Sequence, residues 1–182
     1  MLRPVPVFVR YEGRGAAPKA QCEYVRRLAS RMLEALTLED AELSILLCDD
    51  ATMHALNFEH RGYDKPTDVL AFAQAEGELL RLPRGQVRAL GDVVIALPTA
   101  RRQAAEHGWS ASFEICLLLA HGVLHLLGFD HATRAEERRM KARTDLLMTA
   151  GLSAAMPVDK GRRVPSDSKA TRSRKHRRGR GI

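Results

Sequence analysis

The chain has 182 residues, of which 45% are hydrophobic and 28% charged, with a formal net charge of +7. That composition is ordinary for a globular domain and excludes wholesale disorder and collagen-like repeats. Three cysteines, Cys22, Cys48 and Cys116, with no Cys-x-x-Cys pair, exclude a disulfide scaffold and fit a reducing compartment.

In chain order, the β-branched stretch Val5 to Arg10 predicts a strand, and Gly13 and Gly15 predict a turn. From Pro18 to Leu36 the apolar residues Cys22, Val25, Leu28, Ala29, Met32, Leu33 and Leu36 recur at helical spacing. Ala41 to Cys48 reads as a buried strand, and Asp49 or Asp50 as the cap of a helix reaching about His60. Asp68 to Gln74 predicts a third strand, entered from the turn at Pro66. Glu76 to Arg88 predicts a loop, and Leu90 to Leu97 a fourth strand. Pro98 fits the first turn of a helix that stops at Gly108. Ser110 caps the next helix, which runs to about Leu127 before Gly128; it is apolar nearly all round and is therefore expected at the centre of the core. A more polar helix follows from Thr133 to Thr149, with Gly151 and Pro157 closing the domain. The order βαβαββααα implies an α/β (α+β) domain built on one small mixed sheet.

The longest strongly apolar run, Ile115 to Ala120, is far short of the roughly 20 residues that span a bilayer. The first residues show no secretory signal. No membrane association and a cytoplasmic location are therefore expected. The charge is uneven. Residues 160–182 hold ten basic residues and one acid, a net +9, which leaves −2 on the remainder. Residues 1–156 are expected to form the domain and 157–182 a disordered basic tail that contacts a phosphate backbone; having no aromatic residue, the tail is not suited to base stacking.

The chemically informative segment is Ala120-His121-Gly122-Val123-Leu124-His125-Leu126-Leu127-Gly128-Phe129-Asp130-His131. His121 and His125, four apart on a helix, share a face and can share a metal ion. A left-handed exit at Gly128 would return His131 as a third ligand. Three neutral nitrogens with one open position is the catalytic form of a zinc site, and Asp130 is a candidate for supporting a ligand from behind. The alternative is a set of hydrogen-bonded core histidines. The spacing is that of the metzincin peptidases, but Gly122 stands where their general-base glutamate would be, which argues against peptide hydrolysis. Glycine inside a helix costs about 1 kcal/mol against alanine, so something needs the room, either close backbone packing or access for substrate. A second segment, Asn57 to Phe72, is polar and turn-rich before a strand. Within it Arg61 offers a planar donor fork suited to phosphate oxygens, and Asp68 is suited to capping or turning the backbone.

On the His121–His131 motif, the Asn57…Arg61…Pro66-Thr67-Asp68-Val69-Leu70 segment and Gly91-Asp92-Val93-Val94-Ile95, the chain resembles the YbeY family over roughly Val5 to Ala150. These are bacterial rRNA maturation factors described as single-strand-specific metallo-endoribonucleases. The resemblance implies a mixed four-stranded sheet with about five helices. It implies one zinc ion held by His121, His125 and His131 on the central helix and the following turn, and a functional Arg61. It also implies single-stranded RNA, 16S rRNA and the small ribosomal subunit as partners, in 16S rRNA 3′-end processing and ribosome quality control. The reaction expected is phosphodiester hydrolysis by zinc-activated water, with attack by a 2′-hydroxyl as the alternative. Thr144 departs from the family, which often carries an acid there, and the basic tail lies outside the family core. Two other classes stay open: a non-catalytic zinc-containing ribosome-assembly factor, and a zinc hydrolase acting on peptides or small phosphoesters.

Overall fold

The computed structural model describes residues 6–15, 17–38, 41–74, 88–129 and 133–155. Four strands and five helices follow the expected order: β1 (Val7–Glu12), α1 (Lys19–Ala35), β2 (Ala41–Cys48), α2 (Asp50–Arg61), β3 (Val69–Ala73), β4 (Arg88–Ala96), α3 (Leu97–His107), α4 (Ala111–Leu126) and α5 (Arg134–Ala155). The strands form one mixed sheet in the order β1-β2-β4-β3, with β3 antiparallel and the others parallel. The mixed α/β architecture read from the sequence is therefore present.

Alternation along the strands sorts the core onto two faces. Leu43, Ile45, Leu47, Val93 and Ile95 point to one side, where Val25, Leu28, Met32 and Leu33 of α1 and the apolar residues of α4 and α5 cover them. Leu46, Cys48, Leu70, Val94 and Ala96 point to the other, where Met53 and Leu56 of α2 meet them. The continuous apolar run at residues 45–48 of β2 is thus explained by burial on both faces. Helix α4 lies at the centre of the larger layer, with Ile115, Leu119, Ala120, Val123 and Leu124 buried. Burying each of its large aliphatic side chains contributes roughly 1.5–3 kcal/mol. Ser110 caps it as expected, its hydroxyl accepting from the Phe113 amide at 3.2 Å. The carboxylate of Glu114, only 3% exposed, accepts the Trp109 indole N–H at 2.6 Å, so this buried acid in the first turn is partnered.

Register between β3 and β4 has a visible cause. Gly91 has φ +131°, and a Cβ there would lie 2.1 Å from the carbonyl oxygen of Phe72. Only glycine allows β3 to come so near at the Ala73–Gly91 pair.

Several expectations need correction. The first strand runs to Glu12 rather than Arg10. Leu97 opens α3 instead of ending β4. Gly151 does not end the last helix, which continues to Ala155. Its role is packing: a Cβ there would come within 3.2–3.3 Å of Met32 Cε, Cys116 Sγ and Leu28 Cδ2, where α5 crosses α1 and α4. Thr144 is buried but satisfied, its hydroxyl donating to the Met140 carbonyl at 2.9 Å. Residues 76–87 of the expected loop, Asp130, His131, Pro157 and the basic tail 157–182 lie outside the described residues. Among the described residues no single helix is long and apolar enough to cross a membrane.

Candidate active site

His121 and His125 project from the last two turns of α4, each half-buried. Their rings sit 5.6 Å apart, centroid to centroid, at 66° to each other. The helical spacing therefore delivers what the sequence predicted, two imidazoles side by side on one face. His121 also borders a cleft of about 330 Å³ between α4 and α5, lined by Leu117, Met140, Lys141 and Thr144. Two adjacent imidazoles are a chemically suitable part of a divalent metal site. Among the described residues no group of three His, Cys, Asp or Glu stands together, and His131, the expected third member, lies outside them.

Gly122 explains how α4 is seated. A Cβ at 122 would lie 2.7 Å and 3.1 Å from the two methyls of Val93 and 3.5 Å from a methyl of Val69. The room that the sequence called for is therefore taken by close contact between the helix and strands β3 and β4. A glutamate at this position would face the sheet and have no space.

Arg61 is held by a different layer. It occupies the last turn of α2, which packs on the opposite face of the sheet from α4. Helix α2 is anchored at its start. Asp49 is the cap, accepting from the Thr52 amide at 2.9 Å and the Arg14 amide at 3.0 Å. These bonds hold its carboxyl below the ordinary range. The neighbouring Asp50 accepts from Thr99 and Arg102 of α3, both at 2.8 Å. Burial pushes its carboxyl up, but these two partners outweigh it and the net direction is down.

The helix ends at Gly62, in a left-handed conformation with φ 73°, whose amide bonds the carbonyls of Asn57 and Phe58. The Arg61 guanidinium carbon then lies 5.5 Å from the centre of the Tyr63 ring. The segment beyond is tied down at several points. Asn57, 2% exposed, donates to the Lys65 carbonyl at 2.7 Å. His54 pairs with Asp64 at 2.8 Å. Asp68 accepts from the Val69 amide at 2.8 Å and from Gln103 at 3.0 Å, which gives it the backbone-turning role expected of it. Asn57 lies among the buried residues of α2, a purpose the sequence analysis does not assign it. A polar residue four positions after Met53 on the same helix face was the available signal.

The site and fold together define an α/β protein with a histidine pair at metal-ligand spacing on its central helix and an arginine in the last turn of α2. A family model described as Endoribonuclease YbeY matches residues 13–151. The chain is 46% identical over 136 residues to "Endoribonuclease YbeY" of Symbiobacterium thermophilum, covering 72% of this chain and 87% of that one. It is 43% identical over 143 residues to the protein of the same description from Pelotomaculum thermopropionicum, covering 78% and 93%. A solution structure of TM1509 from Thermotoga maritima shares the fold, with a TM-score of 0.55 at 22% identity over 86% of this chain and 99% of that one. The chain belongs to the YbeY endoribonuclease family.

Proposed function

We propose that this chain is a metal-dependent endoribonuclease that cuts single-stranded RNA during rRNA maturation in the cytoplasm, at the 3′ end of 16S rRNA on the small ribosomal subunit, and serves ribosome quality control. The observation that supports this most is the His121–His125 pair, held side by side on the central helix of a YbeY-family chain. His121, His125 and His131 are the residues that would hold zinc, as neutral imidazoles. When bound, a divalent metal there supplies positive charge that polarises a phosphoryl oxygen and acidifies water.

The chain's own groups divide the remaining work. Arg61 binds phosphate oxygens and stabilises the charge that builds on them, a role suited to a guanidinium on the last turn of an anchored helix. Position 122 supplies no carboxylate, because the sheet fills its surroundings. That weighs against a peptidase, which uses such a base. Residues 157–182, beyond the catalytic domain of residues 1–156, add phosphate-backbone affinity through their charge.

The test is cleavage of a single-stranded RNA carrying the 16S 3′-end region by wild type, His125→Ala and Arg61→Ala, with metal content measured on each preparation. His125→Ala is expected to lose stoichiometric metal and activity together. Arg61→Ala is expected to keep the metal and lose about 100- to 1,000-fold in turnover, as for removal of a positioned charge-stabilising donor. Equal cleavage by all three proteins would expose a contaminating ribonuclease. No cleavage by metal-loaded wild type would favour an assembly factor.

A further inference from the structure

The surface around Arg61 carries a feature that phosphate binding alone does not need. Phe58 is 59% exposed and Tyr63 54% exposed, among the few large apolar side chains so placed in the described residues. Phe58 precedes Arg61 by three positions in the last turn of α2, which puts both on one helix face. Tyr63 follows Arg61 across the Gly62 turn, and the guanidinium stands over its ring at 5.5 Å. One exposed ring thus lies a helical turn before the cation, and a second lies beneath it. The arrangement is pre-organised, because the Asn57–Lys65 and His54–Asp64 bonds fix the segment that carries Tyr63.

We propose that Phe58 and Tyr63 form a stacking platform for unpaired bases of the RNA whose phosphate Arg61 holds. This rests on the ribonuclease reading above and adds the residues that select single strands. In a duplex the base faces are occupied by their neighbours; in a single strand they are available to an aromatic side chain. A ring fixed by a guanidinium on one side loses little freedom when a base covers the other. Because every base has a π-face, such a platform selects strandedness and tolerates sequence. The cation over the Tyr63 ring supplies the phosphate contact that a purely apolar protein-docking patch would lack.

The experiment measures binding of the full chain to a labelled single-stranded oligoribonucleotide, to the same strand with abasic positions, and to its duplex, with folding checked by circular dichroism. Tyr63→Ala and Phe58→Ala are each expected to weaken single-strand binding by about 5- to 100-fold, the range for loss of one base–aromatic stack. Tyr63→Phe, which keeps the ring, is expected to restore it. Wild type should prefer the base-bearing strand over the abasic one, and Tyr63→Ala should narrow that preference. Equal binding of base-bearing and abasic strands by wild type would overturn the platform while leaving the ribonuclease reading intact, as would folded alanine variants with unchanged affinity. That result would make the aromatic pair a protein-contact surface. A wild type that binds no single strand would defeat the ribonuclease reading, and the platform with it.

Discussion

Replacing Gly122 by alanine tests the helix–sheet contact beneath the histidine pair. On helix propensity alone the change stabilises by about 1 kcal/mol. The structure predicts the opposite sign. The added methyl would lie 2.7 Å from Val93 Cγ1, about 1 Å inside the usual carbon–carbon separation. Val93 is fully buried on a central strand and its branched side chain has little rotational freedom, so α4 must lift or the strand must move. Overpacking of this kind costs about 1–3 kcal/mol, which leaves a net loss of up to about 2 kcal/mol. The informative partner is Val93→Ala, which removes both clashing methyls; the remaining neighbour, Val69 Cγ2 at 3.5 Å, is at ordinary contact distance. In that background Gly122→Ala should stabilise by about 1 kcal/mol. Urea denaturation of wild type, the two single variants and the double variant reads the reversal directly. A stabilising Gly122→Ala in the wild-type background, or an effect independent of residue 93, would refute the packing argument. Gly122→Glu should be worse than alanine in either background, because it drives a carboxylate into the same apolar contact.

Other expectations concern the thiols, the cap of α2 and the basic tail. Burial pushes the Cys48 thiol up to about 12, with Asp49, Asp50 and Glu12 adding to it, and burial alone does the same to Cys116. Alkylation of the folded protein at about pH 8 should therefore spare both and reach only Cys22, while denaturant should open all three; rapid native labelling of Cys116 would show that the α4 layer is not closed. Because the Asp49 carboxyl is lowered from its ordinary 3.8, its charged form adds stability above that value, and the contribution is lost as pH falls through the lowered one. Asp49→Asn should thus have a urea midpoint that falls less steeply with acid than wild type, and parallel curves would remove the cap from the account. Truncation after Met156 should weaken RNA binding and flatten its salt dependence; an unchanged slope would leave the tail without a phosphate role.

Most of the fold was legible because local chemistry and tertiary placement agree. The apolar spacing in α1, Asp49 and Ser110 at helix starts, and Gly108 after the end of α3 all match the observed boundaries. Illegible parts depended on distant residues. Gly151 looks like a stop, and only the meeting of Met32, Cys116 and Leu28 around it shows a packing position inside a helix. Gly122 announced a need for room, but the claimant, Val93, lies on β4, distant in the chain, a relation no local pattern encodes. The histidine pair was readable because its geometry follows from one helix. The separation of Arg61 onto the other face was not, because alternation in β2 is masked where Leu46, Leu47 and Cys48 are all buried.

The close approach at Gly91 also has a consequence for how this domain tolerates change. In a tight hairpin the turn dictates which residues pair, so loop length and register are bound together. Fourteen residues, 74–87, separate β3 from β4, far more than the two of a tight hairpin, and alignment is enforced from within the ladder, where one position lacks a side chain. A one-residue slip would bring a residue with a Cβ against the Phe72 carbonyl and would turn Val69 away from Gly122. Register and connection are thereby uncoupled: a change of length between the strands is expected to leave in place the wall on which the histidine helix rests.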